Sequence, residues 1–139
     1  MNRLSVRGKF LFSGASKYLI CGVTYGTFSP EQPDGEYGSR EKVSRDFLLM
    51  KAAGINSVRT YTVPPLWLLD LAAGSDLRVM AGLPWEQHIT FLDNRRRAAG
   101  IETRLRNSVR SCGGHPALMA FTIGNEIPRR SYVGTANRR

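Results

Sequence analysis

Side chains able to do acid–base or ionic chemistry stand near the ends of short apolar runs in this chain. Asn125 and Glu126 follow the run at 117–123. Trp85, Glu86 and His88 follow the run at 77–83, Arg59 and Tyr61 lie inside the β-branched stretch 55–63, and Tyr25 closes the stretch 20–25. A carboxyl can give and take a proton, a guanidinium holds a carboxylate in a fixed fork, and an indole offers a flat apolar face with one polar edge. Each residue also has a plainer reading. Glu126 and Glu86 can be loop carboxylates, Asn125 a turn residue, Arg59 an ion-pair partner, Trp85 and Tyr25 packing residues, and His88 a loop histidine.

The elements that must position these groups follow from hydrophobic period. Residues 9–20 place two apolar runs around Ser13-Gly14-Ala15-Ser16, the pattern of a β-hairpin serving as a lid rather than a sheet strand. Residues 20–25 are β-prone and run into a loop with Pro30, Pro33, Gly35 and Gly38. From Glu41 the period becomes helical through Val43, Phe47 and Met50, and Gly54 stops it. A strand at 55–63 ends at Pro64-Pro65, which opens a helix through Leu66, Leu69 and Ala73. A strand at 77–83, a helix over about 92–112 with Ile101, Leu105 and Val109 on one face, and a strand at 117–123 complete the pattern. Strands alternating with helices at this spacing require crossover connections and a parallel sheet. No Gly-x-Gly-x-x-Gly follows the first strand and no Gly-Lys-Ser/Thr occurs, so the nucleotide-binding versions of α/β architecture lack support. The fold class is therefore α/β, a partial (β/α)₈ TIM barrel of roughly the first four βα units with an N-terminal β-hairpin.

The 139 residues carry 20 Lys+Arg against 11 Asp+Glu, a net charge of +9. Six of the arginines, Arg95, Arg96, Arg97, Arg104, Arg106 and Arg110, fall in and around one helix. Four more, Arg129, Arg130, Arg138 and Arg139, lie in the last eleven residues, and no aromatic residue is interleaved among the helix six. That distribution describes a solvated helix face and a basic tail, so no nucleic-acid site is expected. Cys21 and Cys112 match no metal or redox spacing and are each expected to be a small buried residue in a reducing compartment. Lys9, Ser13, Gly14, Ser16 and Lys17 interrupt the N-terminal apolar residues, so neither a signal peptide nor a membrane span is expected and a cytoplasmic location is the default.

One resemblance draws these residues together. Thr122-Ile-Gly-Asn-Glu-Ile-Pro128, preceded by Gly114-His-Pro-Ala117, resembles the fourth-strand motif of clan A retaining glycoside hydrolases, with glycoside hydrolase family 2 the nearest fit. Gly54-Ile-Asn-Ser-Val-Arg-Thr60 is similar to that family's second-strand motif, in which an arginine lies on the active-site floor. The resemblance runs from about Lys9 to Pro128. It implies Glu126 as general acid/base, a role that needs a raised carboxyl pKa, and Asn125 on the sugar 2-hydroxyl. It also implies Arg59 orienting a nucleophilic carboxylate, Trp85 under a pyranose ring, and His88 and Tyr25 on hydroxyls. The implied partner is a β-linked carbohydrate; no metal and no cofactor is implied.

Retaining hydrolysis needs two carboxylates about 5 Å apart, and only Glu126 has the right place. The nucleophile implied by the resemblance follows a seventh strand, while a whole barrel takes about 250 residues. Residues 1–128 are thus expected to form the N-terminal half of a barrel and 129–139 a basic, unrelated tail of the kind a frameshift, truncation or split gene leaves. Such a chain is expected to be inactive alone, or a carbohydrate-binding or non-functional remnant, and to self-associate through its exposed edges.

Overall fold

The computed structural model describes residues 1–28, 35–83 and 95–123. An antiparallel meander comes first: β1 (Leu4–Arg7), β2 (Phe10–Ser13) and β3 (Ser16–Lys17) in the order β1-β2-β3. The turn at Gly14 falls where the sequence places it. The strand β1 is additional to the expected hairpin. Its turn to β2 is two residues long and begins at Gly8, whose φ of 59° is a left-handed conformation that costs glycine little.

The main sheet follows, built from β4 (Gly22–Thr24), β5 (Ser57–Thr60), β6 (Arg78–Leu83) and β7 (Leu118–Ile123), parallel throughout and in the order β4-β5-β6-β7. The helices α1 (Arg40–Ala52), α2 (Leu66–Gly74) and α3 (Arg95–Cys112) connect successive strands. Both ends of α1 are capped, the second as the sequence suggests: Ser39 accepts from the backbone of Lys42, and Gly54 takes a φ of 82° just beyond the last turn. The second strand is shorter than the β-branched stretch around it, because residues 61–65 turn away toward α2.

Alternate strand residues divide the sheet into two faces. Val58, Val79, Ala81 and Leu118 pack with Val43 and Phe47 of α1 and with Leu68, Leu69 and Ala72 of α2 in one buried cluster. Each fully buried large aliphatic or aromatic side chain there contributes about 1.5–3 kcal/mol. The opposite face carries Gly22, Thr24, Ser57, Arg59, Met80 and Met119 around a concavity of about 340 Å³. It is the face a closed barrel would turn inward.

The meander sits beneath this sheet, at the ends where the strands begin. Tyr18 gives its hydroxyl to the carbonyl of Asn56 at 2.8 Å and lies 3.0 Å from Ser57 Oγ, while Arg3 donates to the carbonyl of Gly113. Asn56 ties the exit of the meander to β5: its Oδ1 accepts from Cys21 N at 2.9 Å and its Nδ2 donates to the Leu19 carbonyl at 2.7 Å. The expected lid is therefore a floor, on the side away from the strand carboxyl ends. Cys21 also departs from expectation: it is exposed, because its position is set by its backbone and not by packing, whereas Cys112 is buried with its thiol donating to Ser108 O.

The turn before β7 is held from two sides. His115 Nδ1 accepts from Ala117 N at 3.2 Å, so the proton is on Nε2, which donates to Asp70 of α2 at 3.1 Å. Gly82 of β6 lies against the backbone at the end of β5, where an added Cβ would meet the Tyr61 carbonyl oxygen and stand 2.6 Å from that of Thr60. Gly82→Ala must push the end of β5 outward, so we predict a loss of about 1–3 kcal/mol or more, read from the urea midpoint; an unchanged midpoint would contradict the close approach.

Candidate functional site

In a parallel sheet of this kind the carboxyl ends of the strands and the loops beyond them form the working face. Arg59 reaches it from β5. Its register neighbours are Thr24 on β4 and Met80 on β6, and all three side chains line the concavity. The guanidinium lies 5.2 Å from the ring centre of Tyr61, which is 45% exposed at the strand end. A cation on an aromatic face is held in place with little loss of its charge.

The loops after the first two strands of the sheet are joined at this end. Tyr37, buried on the short 3₁₀ turn Gly35–Tyr37, meets Thr62 Oγ1 at 2.8 Å, and Thr62 Oγ1 donates to Glu36 Oε2 at 2.9 Å. Thr60 Oγ1 donates to the Thr62 carbonyl at 2.9 Å. Burial pushes the Tyr37 phenol above its usual pKa, and the hydrogen bonds from Thr62 and Thr60 work against that rise. Glu36 thus places a carboxylate beside the end of β5. Sequence reasoning missed it, since nothing in the polar loop marks one acid there as fixed.

Tyr25 takes a different place from the one expected. Its backbone N–H continues the ladder to the Arg59 carbonyl at 2.8 Å, but the side chain is buried on the helix face between Phe28 and Phe47, with ring centres 5.2 and 5.3 Å away. Its hydroxyl donates to Asp46 of α1 at 2.7 Å, and Lys42 holds the same carboxylate oxygen at 2.7 Å. The alternation of β4 explains this: Thr24 faces the concavity, so the next residue faces α1. Burial first, then the Asp46 hydrogen bond and charge, raise the Tyr25 phenol far above its ordinary value. Burial of Asp46 opposes its ionisation, but the bonds from Lys42 and Tyr25 outweigh this and hold the carboxyl below its usual range.

Trp85, His88, Asn125 and Glu126 lie outside the described residues, as do Glu86 and the tail 129–139. What is described is the pair of strands they follow: β6 ends at Leu83 and β7 at Ile123, adjacent and in parallel register. Among the described residues no group of three His, Cys, Asp or Glu is arranged to hold a metal ion, and no helix is long and apolar enough to cross a membrane.

No protein-family model and no curated protein matches the sequence. Solved structures do match in three dimensions. Parabacteroides merdae β-glucuronidase with glycerol in its active site aligns with 89% of this chain at 19% identity and a TM-score of 0.72. Bacteroides uniformis β-glucuronidase aligns with 85% at 26% identity and 0.63. Saccharomyces cerevisiae Gas2p in complex with laminaripentaose aligns with 86% at 17% identity and 0.63. The architecture is that of part of a (β/α)₈ barrel. The matched regions are 16%, 14% and 30% of those chains, so this sequence spans under a third of each.

The two described candidates separate cleanly by face, and a substitution can read that separation. Asp46 has a depressed pKa in the folded state, so its contribution to stability is present above its unfolded pKa and lost as pH falls through the folded value. Tyr25→Phe removes one of the groups that depress it. We predict a loss of about 1 kcal/mol at neutral pH and a shallower fall of stability on acidification, both from urea titrations. Unchanged stability with an unchanged acid limb would contradict the buried Tyr25–Asp46 hydrogen bond.

Proposed function

We propose that this chain is the N-terminal part of a retaining glycoside hydrolase barrel acting on a β-linked carbohydrate. The observation that carries the proposal is Arg59, set on the inward face of the second barrel strand while the chain runs on through β6 and β7 to Asn125-Glu126. Support comes from the solved structures that the chain resembles, two of them β-glucuronidases and one bound to laminaripentaose. The motif at 122–128 supports the finer assignment, with family 2 of the glycoside hydrolases as the nearest fit.

In this mechanism Glu126 protonates the leaving glycosidic oxygen and then, as a carboxylate, takes a proton from the water that releases the sugar. Asn125 hydrogen-bonds the 2-hydroxyl, an interaction that strengthens as positive charge builds at the anomeric carbon. Arg59 orients the nucleophilic carboxylate. Trp85 supports the pyranose ring, and His88 binds a hydroxyl. Tyr25 is omitted from this set because its hydroxyl serves Asp46. The nucleophile is not assigned within these 139 residues; Glu36 and Glu86 are rim groups. A second reading, a carbohydrate-binding half-barrel without turnover, rests on the same concave face.

The 139-residue chain alone is expected to leave p-nitrophenyl β-D-glucuronide and p-nitrophenyl β-D-glucoside intact, because no glycosyl-enzyme can form. Turnover by the purified chain that disappears in Glu126→Ala would contradict the missing-nucleophile mechanism. Joined to the rest of a barrel, the chain should hydrolyse one of them, and Glu126→Gln should lower kcat/KM by about 10²–10⁴-fold; an equally active variant would remove Glu126 from the chemistry.

A further inference from the structure

The N-terminal meander has a second face, turned away from the floor it closes. Strand pairing sets Arg7 opposite Phe10, and Phe12 between Ser5 and Lys17. Tyr18, the next residue, points the other way, to the Asn56 carbonyl. On the outward face the cations sit on the rings. Lys17 Nζ is 4.1 Å and Lys9 Nζ 5.7 Å from the ring centre of Phe10, and Arg7 Cζ is 4.7 Å from that of Phe12. The two-residue turn between β1 and β2 carries the same mixture to its tip, where Val6 is 73% and Phe10 41% exposed, with Arg7, Gly8 and Lys9 exposed between them.

Charge and ring chemistry select the partner. Residues 1–28 hold Arg3, Arg7, Lys9 and Lys17 and no Asp or Glu. Among the described residues none of these four makes an ion pair. Arg3 and Arg7 donate to the carbonyls of Gly113 and Gly14, which leaves their charge uncompensated. The partner is therefore anionic. A single-stranded nucleic acid or a sugar chain needs free ring faces on which to stack, and here cations already lie on both rings. Phenylalanine also has no polar atom to meet a sugar hydroxyl. A lipid surface needs neither: its phosphates take the cations, and apolar side chains at a tip enter the boundary between headgroups and acyl chains.

We infer that the outward face and tip of the meander dock this protein on an anionic bilayer surface, with Arg7, Lys9 and Lys17 on lipid phosphates and Val6 and Phe10 at the acyl boundary. The contact is peripheral, made by side chains of a folded sheet, and needs no spanning segment. Because the meander lies at the ends where the strands of the main sheet begin, docking turns their carboxyl ends, and the concavity that Arg59 lines, away from the bilayer. The inference is independent of the hydrolase reading.

The test is flotation of the full 139-residue chain with vesicles of phosphatidylcholine, alone or with about 30% phosphatidylserine. The expected result is binding about tenfold tighter or more to the anionic vesicles, lost as salt is raised from about 0.05 to about 0.5 M. Each basic side chain near such a surface strengthens binding roughly fivefold. Lys9→Gln/Lys17→Gln, at two exposed positions, should therefore weaken it about 25-fold, and Val6→Ser, which touches none of the ring contacts, about threefold. Arg104→Gln/Arg110→Gln removes the same charge from exposed positions on α3 and should bind as the parent does. All variants are compared at an unchanged urea midpoint. Equal losses in the two double variants would reduce the effect to net charge and overturn the inference, as would equal binding to both kinds of vesicle or to neither. A single-stranded thymidine oligonucleotide bound as tightly, with the same dependence on Lys9 and Lys17, would give the face to nucleic acid and overturn it too. No readout involves turnover, so the docking claim and the hydrolase proposal fail separately.

Discussion

The amide side chain of Asn56 holds the end of the meander against the start of β5, and the order of the working face depends on that junction. It accepts from Cys21 N and donates to Leu19 O, so the chain enters β4 at one height and pairs Gly22 with Ser57 and Thr24 with Arg59. In a strand a slip of one residue exchanges the two faces. Here such a slip in β4 would bury Thr24 against α1 and turn Tyr25 toward the cavity. The same amide therefore decides that Arg59 has a small polar neighbour inside the sheet and that the Tyr25 phenol is spent on Asp46 outside it.

From that junction the sheet is extended by ordinary means. Val58, Val79 and Leu118 repeat on the helix side, and Gly82 lets β6 lie close under the end of β5. The N-terminal meander closes the floor with Tyr18, and the His115 turn ties the start of β7 to α2. Both contacts lie at the strand amino ends, which leaves the carboxyl ends to the loops. Of these loops, the one carrying Glu36 and Tyr37 is already fixed to Thr62. The stabilising contacts and the candidate site thus occupy opposite ends of the strands, as in barrels generally.

The order of strands and helices was legible because period and punctuation agreed: Gly54 ends α1, Pro64-Pro65 precedes α2, and each strand of the main sheet holds a β-branched residue. The strand β1 was not, since Leu4–Arg7 alternates weakly and its two-residue turn holds only Gly8 as a signal. Arg59 lines the concavity, and the role its motif implies there belongs to the proposal. The place of Tyr25 was not legible, because a residue at a strand end can face either way and only counting from Thr24 settles it. The role of Asp46 was invisible for a related reason: an acid on a helix reads as a solvated surface group until the strand opposite supplies a buried hydroxyl. The rest of the candidate site, Trp85, His88, Asn125 and Glu126, stands on the motif and on the strands that precede it.

The central claim is that β7 delivers Glu126 to the same mouth that Arg59 lines, opposite a second carboxylate from the rest of the barrel. The most direct measurement is a crystal structure of this chain joined to a complementary half-barrel, with the separation of the two carboxyl groups measured across a bound sugar. The half-barrel arrangement predicts about 5–5.5 Å, the spacing of a retaining pair. A Glu126 carboxyl turned away from the mouth, or one about 6.5 Å or more from its partner, would contradict it.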